Sequence, residues 1–229
     1  RPKIVPLSQR NVCASIEGIR ETLGLTPRDR GLVIMPLFHI HGLMTGLLAP
    51  LSAGGQVWCT PGFNALKFFS WLAEVRATWY TGVPTMHQAI LMRAGHNAET
   101  IKANPLRFIR SSSSALPVKV IGELEAAFGA PVIESYGMTE ASHQMTSNPL
   151  PPRVRKPGTV GPGAGPEVRV VDAGGEPVPP GGTGEIVIRG ESVMGGYENN
   201  PKANAEAFIN GWFRTGDQGV MDADGYVSI

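Results

Sequence analysis

Cysteine is scarce, charge is thin, and no apolar run is long. Cys13 and Cys59 are the only cysteines among 229 residues. They exclude a disulfide framework and a cysteine metal quartet, and fit a reducing compartment. Lys and Arg number 20 against 19 Asp and Glu, a net charge of +1. That balance excludes a nucleic-acid or polybasic membrane module, which needs a basic excess. The best apolar stretch, residues 42–53, contains Pro50 and Ser52 and falls short of the roughly 20 residues of a membrane helix. No secretory signal is visible, so the expected location is cytoplasmic, or peroxisomal in a eukaryote. Charged residues are 17% against about 25% in an average domain, as if part of the surface were normally covered.

Apolar residues make 42% of the chain, enough for a sizeable core. The 29 glycines and 20 prolines imply many loops with special backbone demands. Residues 8–24 read as a helix: Ser8 suits the cap, Val12, Ile16, Ile19 and Leu23 share a face, and Gly24 ends it. The run 31–35, stopped by Pro36, suits a strand covered on both faces. Helices are expected over 42–52, 64–76 (Leu66, Phe69, Leu72 and Ala73 inward), 84–93 and 118–128, with strands over 56–60, 78–81, 106–110 and 131–134. Met35, Met44, Met86 and Met92 read as core filling. This alternation predicts an α/β fold, a largely parallel sheet flanked by helices. After the proline-rich 148–152 the pattern turns β-rich, with alternating strands at 167–171 and 185–189 and one helix at 201–208. The division expected is 1–150 and 151–229. The chain opens Arg1-Pro2-Lys3 and stops in the strand-like Tyr226-Val227-Ser228-Ile229, so a piece of a longer protein is expected.

Ligands of an open parallel sheet bind beyond the carboxyl ends of its strands, which directs attention to a few loops. In Tyr136-Gly137-Met138-Thr139-Glu140, Gly137 permits a tight turn, Tyr136 offers a flat face to a purine, Thr139 a hydroxyl to phosphate, and Glu140 a hard oxygen to Mg²⁺. Equally, Thr139-Glu140 suits the acidic first turn of an ordinary helix. The serines 111–114 let a ligand approach a strand end, or are simply a polar loop. His39 and His41 would share a face on a strand, but no third ligand of matching spacing stands nearby; they fit a pocket gate or buried structural histidines. A helix starting at Thr139 would aim His143 at the same cleft. Asp217, in Gly211-Trp212-Phe213-Arg214-Thr215-Gly216-Asp217, suits the hydroxyls of a ribose.

Taken in order, these motifs resemble the adenylate-forming acyl-CoA synthetases of the AMP-binding ligase superfamily. Arg1-Pro2-Lys3 resembles the tail of that family's phosphate loop, and residues 36–42 the histidine segment lining its acyl pocket. Tyr136 to Glu140 resembles the adenine and Mg·ATP motif, 184–197 the next one, and 211–217 the ribose motif. The resemblance covers essentially the whole chain. It implies part of the large N-terminal domain of the adenylate-forming fold, without the C-terminal domain that carries a catalytic lysine.

The resemblance also implies roles. Tyr136 and Gly137 would lie against adenine, with Ser114 and Ala115 along the other face of the nucleotide. Thr139 would contact the α-phosphate, Glu140 bind Mg²⁺, Asp217 hold the ribose, and Lys3 order the phosphate loop. His39, Ser113 and His143 would line the acyl side. The implied partners are ATP/AMP, Mg²⁺, coenzyme A and a carboxylic acid. The stretch 138–151 is similar to oxalate–CoA ligases in particular, and donors at Ser113 and His143 suit the second carboxylate of a small diacid. A fatty-acyl-CoA synthetase and a non-catalytic nucleotide-binding module are the alternatives. These 229 residues alone are expected not to turn over.

Overall fold

Side chains stand in lateral rows across the first sheet, alternating between its faces as a pleated backbone demands. A computed structural model describes residues 3–229; Arg1 and Pro2, part of the expected phosphate-loop tail, lie outside it. The sheet is built from β1 (Arg30–Val33), β2 (Gln56–Cys59), β3 (Trp79–Gly82), β4 (Phe108–Ser111), β5 (Val132–Met138) and β6 (His143–Ser147). Its order is β2-β1-β3-β4-β5-β6. Pairing is parallel until the last pair, where β6 turns back antiparallel along β5.

Leu32, Tyr80, Ile109 and Val132 stand abreast. They meet α3 (Phe68–Val75), α4 (Pro84–Ala94), α5 (Ala98–Ala103) and α6 (Val118–Phe128) through Phe68, Leu72, Ile90, Ile101, Leu124 and Phe128. The opposite face presents Trp79, Phe108 and Ile133 to α1 (Gln9–Thr22) and to a π-helical stretch (Gly42–Leu48) that runs into α2 (Ala49–Ser52). Helix α1 starts where a capping box forms: the Ser8 hydroxyl accepts from Asn11 N–H, and the Asn11 side chain accepts from Ser8 N–H at 2.8 Å. On this face, one step nearer the carboxyl ends, Val33, Thr81, Arg110 and Ile133 stand abreast. The centre of that row is polar.

The second sheet is antiparallel. Strands β7 (Glu167–Val171), β8 (Thr183–Arg189), β9 (Phe208–Ile209), β10 (Trp212–Met221) and β11 (Val227–Ser228) run β11-β10-β8-β7, with β9 pairing β10. Helix α7 (Pro201–Ala207), capped by Asn200, precedes β9. Ile188, Met194, Tyr197, Ala207 and Phe213 pack on Ala141 and Met145 of the first sheet's edge, closing a seam between the sheets.

Several expectations need correction. Residues 136–138 continue β5 instead of opening a loop, and Thr139–Ala141 form a single 3-10 turn, not a helix. His143 therefore begins a returning strand. The ribose motif is not a loop beyond Gly211: residues 212–217 lie in β10, whose pairing with β8 is shifted between Arg214 and Gln218. His39 lies in a bend and His41 in the helical residues that lead into the π-helix, not on a strand. Helix α3 begins only at Phe68, because Asn64 Oδ1 accepts from Leu66 and Lys67 N–H and holds a turn there; Leu66 and Ala73 are exposed. Met92 is exposed, while Met35 and Met44 are buried. β8 does not alternate: Ile186, Val187 and Ile188 are all buried, because layers cover both its faces. Helix α5 follows α4 closely and has no separate signature.

Glu134 of β5 is buried. Its carboxylate accepts from Gly158 N–H at 3.0 Å, yet burial prevails and pushes its pKa from 4.5 up to about 7. The folded chain thus holds a proton that the unfolded chain has lost, so stability falls as pH rises from about 4.5 to 7. Glu134→Gln is expected to flatten that slope, worth about 2–3 kcal/mol across the window. Urea unfolding at pH 4.5 and pH 7.5 checks it; parallel slopes for the two proteins contradict it.

Candidate functional site

Two polar clusters hang from the hairpin of β5 and β6. The hairpin exists because Gly137 has no side chain: a Cβ there would sit 1.8 Å from the His143 carbonyl oxygen. Opposite it the backbone is forced. Ser142 and His143 adopt positive φ, +52° and +98°, which non-glycine residues rarely do. Hydrogen bonds from elsewhere hold them. Ser15 of α1 donates to the Ser142 carbonyl at 2.6 Å, and the Ser142 hydroxyl donates to the Ser192 carbonyl at 2.9 Å.

The first cluster lies at the seam. The Tyr136 hydroxyl donates to Asp217 Oδ2 across it, and the register shift in β10 is what brings Asp217 there. Burial, and then this acceptor, hold the Tyr136 phenol well above its usual pKa. Asp217 is fixed from behind, because its N–H donates to Thr215 Oγ1 at 3.1 Å and Thr215 donates to the Ile186 carbonyl at 2.7 Å. Tyr197 donates to Glu140 Oε1 at 2.9 Å; burial and this contact push its phenol up to about 12. The Lys3 ammonium sits 4.4 Å above the Tyr197 ring. Tyr136, Asp217, Glu140, Tyr197 and Lys3 thus converge. A groove of about 440 Å³ lined by Lys3, Tyr197, Thr215 and Gly216 opens beside them, and one of about 570 Å³ includes Gly216 and Asp217. Thr139 is exposed at the head of the 3-10 turn. A cavity of about 600 Å³ that includes Glu17, Glu21 and Arg153 lies elsewhere, along α1.

The second cluster lies where the polar row of the first sheet reaches the turn before the π-helix. His41 is wholly buried. Its Nδ1 is 3.1 Å from Ser113 Oγ, its Nε2 2.6 Å from Thr81 Oγ1 and 3.3 Å from Arg110 Nη1. The buried His143 ring stacks on it, centroids 5.0 Å apart. Burial first, then the neighbouring rings and Arg110, keeps both imidazoles well below their usual pKa, hence neutral. A guanidinium has only donors, so His41 Nε2 is bare and its proton is on Nδ1. His41 therefore donates to Ser113, whose own hydroxyl proton is free to point elsewhere. Ser113 is exposed, with φ of +73°. Ser114 and Ala115 follow it on the same exposed loop.

Of the expected acyl-side residues, Ser113 and His143 come together around His41. His39 is exposed, and its Nδ1 accepts from His41 N–H at 3.1 Å. Sequence reasoning weighed His41 only as a gate or a buried structural histidine, gave Tyr197 no role beyond the end of the 184–197 motif, and left Arg110 out. The one signal for Arg110 was an arginine inside an apolar strand run.

The family model for AMP-binding enzymes matches residues 1–198. An oxalate–CoA ligase of Arabidopsis thaliana is 47% identical across 100% of this chain and 45% of its own length. A sulfoacetate–CoA ligase of Cupriavidus necator is 43% identical over 100% of this chain and 44% of its own length. The crystal structure of ATP-bound MatB from Rhodopseudomonas palustris matches with a TM-score of 0.92 and 34% identity, over 100% of this chain and 45% of that one. The chain thus spans about half the length of the curated relatives it matches.

Gly137→Ala is expected to break the β5–β6 pairing and to cost more than about 3 kcal/mol, since neither backbone can give by the distance required. Urea unfolding measures it, and a loss below about 1 kcal/mol contradicts it.

Proposed function

Because this chain belongs to the AMP-binding enzyme family, we propose that the whole protein is an ATP-dependent carboxylate–CoA ligase for short acids with two anionic ends, oxalate above all. The observation that carries this reading is one hairpin holding both clusters: Tyr136 and Glu140 toward the seam, His143 toward Ser113 and His41. A nucleotide at the first and a small acid at the second would meet across it.

On this reading the acid's carboxylate oxygen attacks the α-phosphorus of ATP, the bond to the leaving pyrophosphate breaks, and acyl-AMP forms. The thiol of coenzyme A then adds to the acyl carbon, and AMP leaves. Neither step needs a protein nucleophile; both need charge held in place on phosphorus and carbonyl oxygen. Tyr136 and Gly137 would face the adenine on one side, Ser114 and Ala115 on the other. Asp217 would exchange its Tyr136 contact for the ribose hydroxyls, or share it with them. Thr139, exposed beside Glu140, would reach the α-phosphate, and Lys3 would steady the phosphate loop. Glu140 suits Mg²⁺, which commonly takes one or two carboxylates and completes its shell with phosphate and water. Tyr197 holds one Glu140 oxygen and so orients the other. Among the described residues no cluster of three or more His, Cys, Asp or Glu is grouped to hold a metal. Bound at Glu140, Mg²⁺ would offset phosphate charge.

The acyl side favours a short polar acid. A long alkyl tail needs apolar walls, whereas Ser113 and His143 offer hydrogen bonds and His41 backs them. His39, at the exposed rim, would gate the entrance. The sulfoacetate and oxalate ligases among the relatives act on acids of this size, each named for a substrate with two anionic ends.

A panel of carboxylic acids in a CoA-dependent AMP-release assay of the whole protein tests this. Ser113→Ala and His143→Ala are each expected to raise the oxalate KM about 10- to 100-fold, with the ATP KM within about twofold. A fatty acid as the better substrate, with both variants silent, overturns the reading. AMP binding with no acyl-adenylate from any acid would favour a non-catalytic module. Asp217→Ala is expected to weaken AMP binding about 10- to 100-fold without changing the oxalate KM; calorimetry with AMP measures this, and an unchanged Kd removes Asp217 from the ribose site.

A further inference from the structure

Arg110 is completely buried, and its donors meet only neutral groups. Nη1 faces His41 Nε2 at 3.3 Å, Nη2 donates to Gln144 Oε1 at 3.1 Å, and Nε has no partner. The Gln144 amide is pinned in turn, donating to the Ala164 carbonyl at 2.9 Å. Among the described residues no ion pair includes Arg110. Burial lowers its pKa only to about 9, so it stays charged at neutral pH.

A buried cation without a counter-ion is costly, and an apolar residue would serve the sheet better. Its neighbours indicate where the missing anion arrives. His41 links Arg110 to Ser113 by hydrogen bonds, and Ser113 is exposed. The buried Nε2 of His143, stacked against His41, also lacks a partner. Ser113 and His143 are neutral and would hold a hydroxyl as readily as a carboxylate. Arg110 supplies the charge that separates the two.

We propose that Arg110 is a specificity-determining positioning residue: through His41 it fixes Ser113 as a donor to the distal group of the acid, and its uncompensated charge selects acids in which that group is an anion. This rests on the short-diacid reading above and adds the source of its selectivity. The distal anion is a carboxylate or a sulfonate, whose chemistry toward these donors is shared.

The test compares oxalate, sulfoacetate and glycolate in the whole protein; glycolate matches oxalate in size but ends in a neutral hydroxyl. Arg110→Met is expected to raise the oxalate KM about 30-fold or more, leave its kcat within about threefold, and change glycolate kinetics little. Arg110→Lys should recover most of the oxalate preference. In a Ser113→Ala background Arg110→Met should add less than about threefold, because the two act through one chain. Equal losses on oxalate and glycolate, no rescue by Lys, or full additivity would overturn the role of Arg110 while leaving the diacid reading intact. A wild-type protein inactive on both oxalate and sulfoacetate overturns the diacid reading, and this inference with it. Sulfoacetate following oxalate extends the selection to sulfonates; sulfoacetate following glycolate confines it to carboxylates and overturns the shared-anion part. Should Arg110→Met show no Tm rise with AMP, and so no folded site, His41→Asn replaces it. Its amide keeps a donor near Ser113 but cuts the link to Arg110, and an unchanged oxalate-to-glycolate preference there overturns the proposal.

Discussion

Everything functional in this chain depends on two backbones passing too close for a side chain. Gly137 and the His143 carbonyl define that approach, and it ends the parallel sheet with one antiparallel strand. A parallel neighbour would have needed a crossover of a dozen or more residues. The turn used instead, Thr139–Ala141, is so short that Glu140 and His143 leave the same hairpin only three residues apart. One therefore faces the seam and the other the interior of the first sheet. The positive φ values at Ser142 and His143 are the cost of that compactness. Ser15 and Ser192 offset it with hydrogen bonds from two different parts of the chain, so the strained turn is stable only when both sheets are assembled.

The two clusters obey opposite electrostatic logic. At the seam the phenols keep their protons: burial raises both, and Tyr136 and Tyr197 each donate to an acid. Such a site presents fixed donors and acceptors with little reorganisation to pay for on binding. In the cluster around His41 the imidazoles are neutral, and the Arg110 guanidinium has no ion-pair partner among the described residues. Neutral histidines there follow first from their own burial, and Arg110 adds to it: protonating either would place a second cation beside the first in a medium that screens poorly. The His41 tautomer, and hence the direction of the hydrogen bond out to Ser113, is set by that one residue.

The α/β layering was legible because its signals are local. Apolar runs, breakers and 3.6-residue periodicity are written into each segment, and α6 falls where periodicity places it. The motif order was legible through its resemblance to a family. What stayed hidden has a physical cause in each case. Thr139-Glu140 reads as a helix start because acidic first turns are common, and nothing in the segment shows that Gly137 admits a returning strand. The ribose-motif residues read as a loop because a glycine inside a bulged strand looks the same as one between elements. Leu66 and Met92 read as core because periodicity registers apolar character and not the neighbours available to cover it. Arg110 was invisible for a deeper reason: a buried charge acquires meaning only from what surrounds it, and His41, Gln144 and Ser113 are brought in by other elements.

The placement of Arg110 also bears on how the sheet tolerates it. It stands in the row Val33, Thr81, Arg110, Ile133, one pleat beyond the aromatic pair Trp79 and Phe108, whose rings stack at 5.2 Å. The apolar mass that secures the sheet is thus complete before the polar row begins. Had the charge been one pleat earlier it would have replaced Phe108 against α1, where no group could answer it. At its actual position His41 and Gln144 face its Nη atoms while Nε stays unpartnered, and the row lies toward the carboxyl ends of the strands, where ligands of such sheets bind. A core that ends in an incomplete polar row is less stable than an apolar one. That loss is confined to the one place where an incoming anion would return it as affinity.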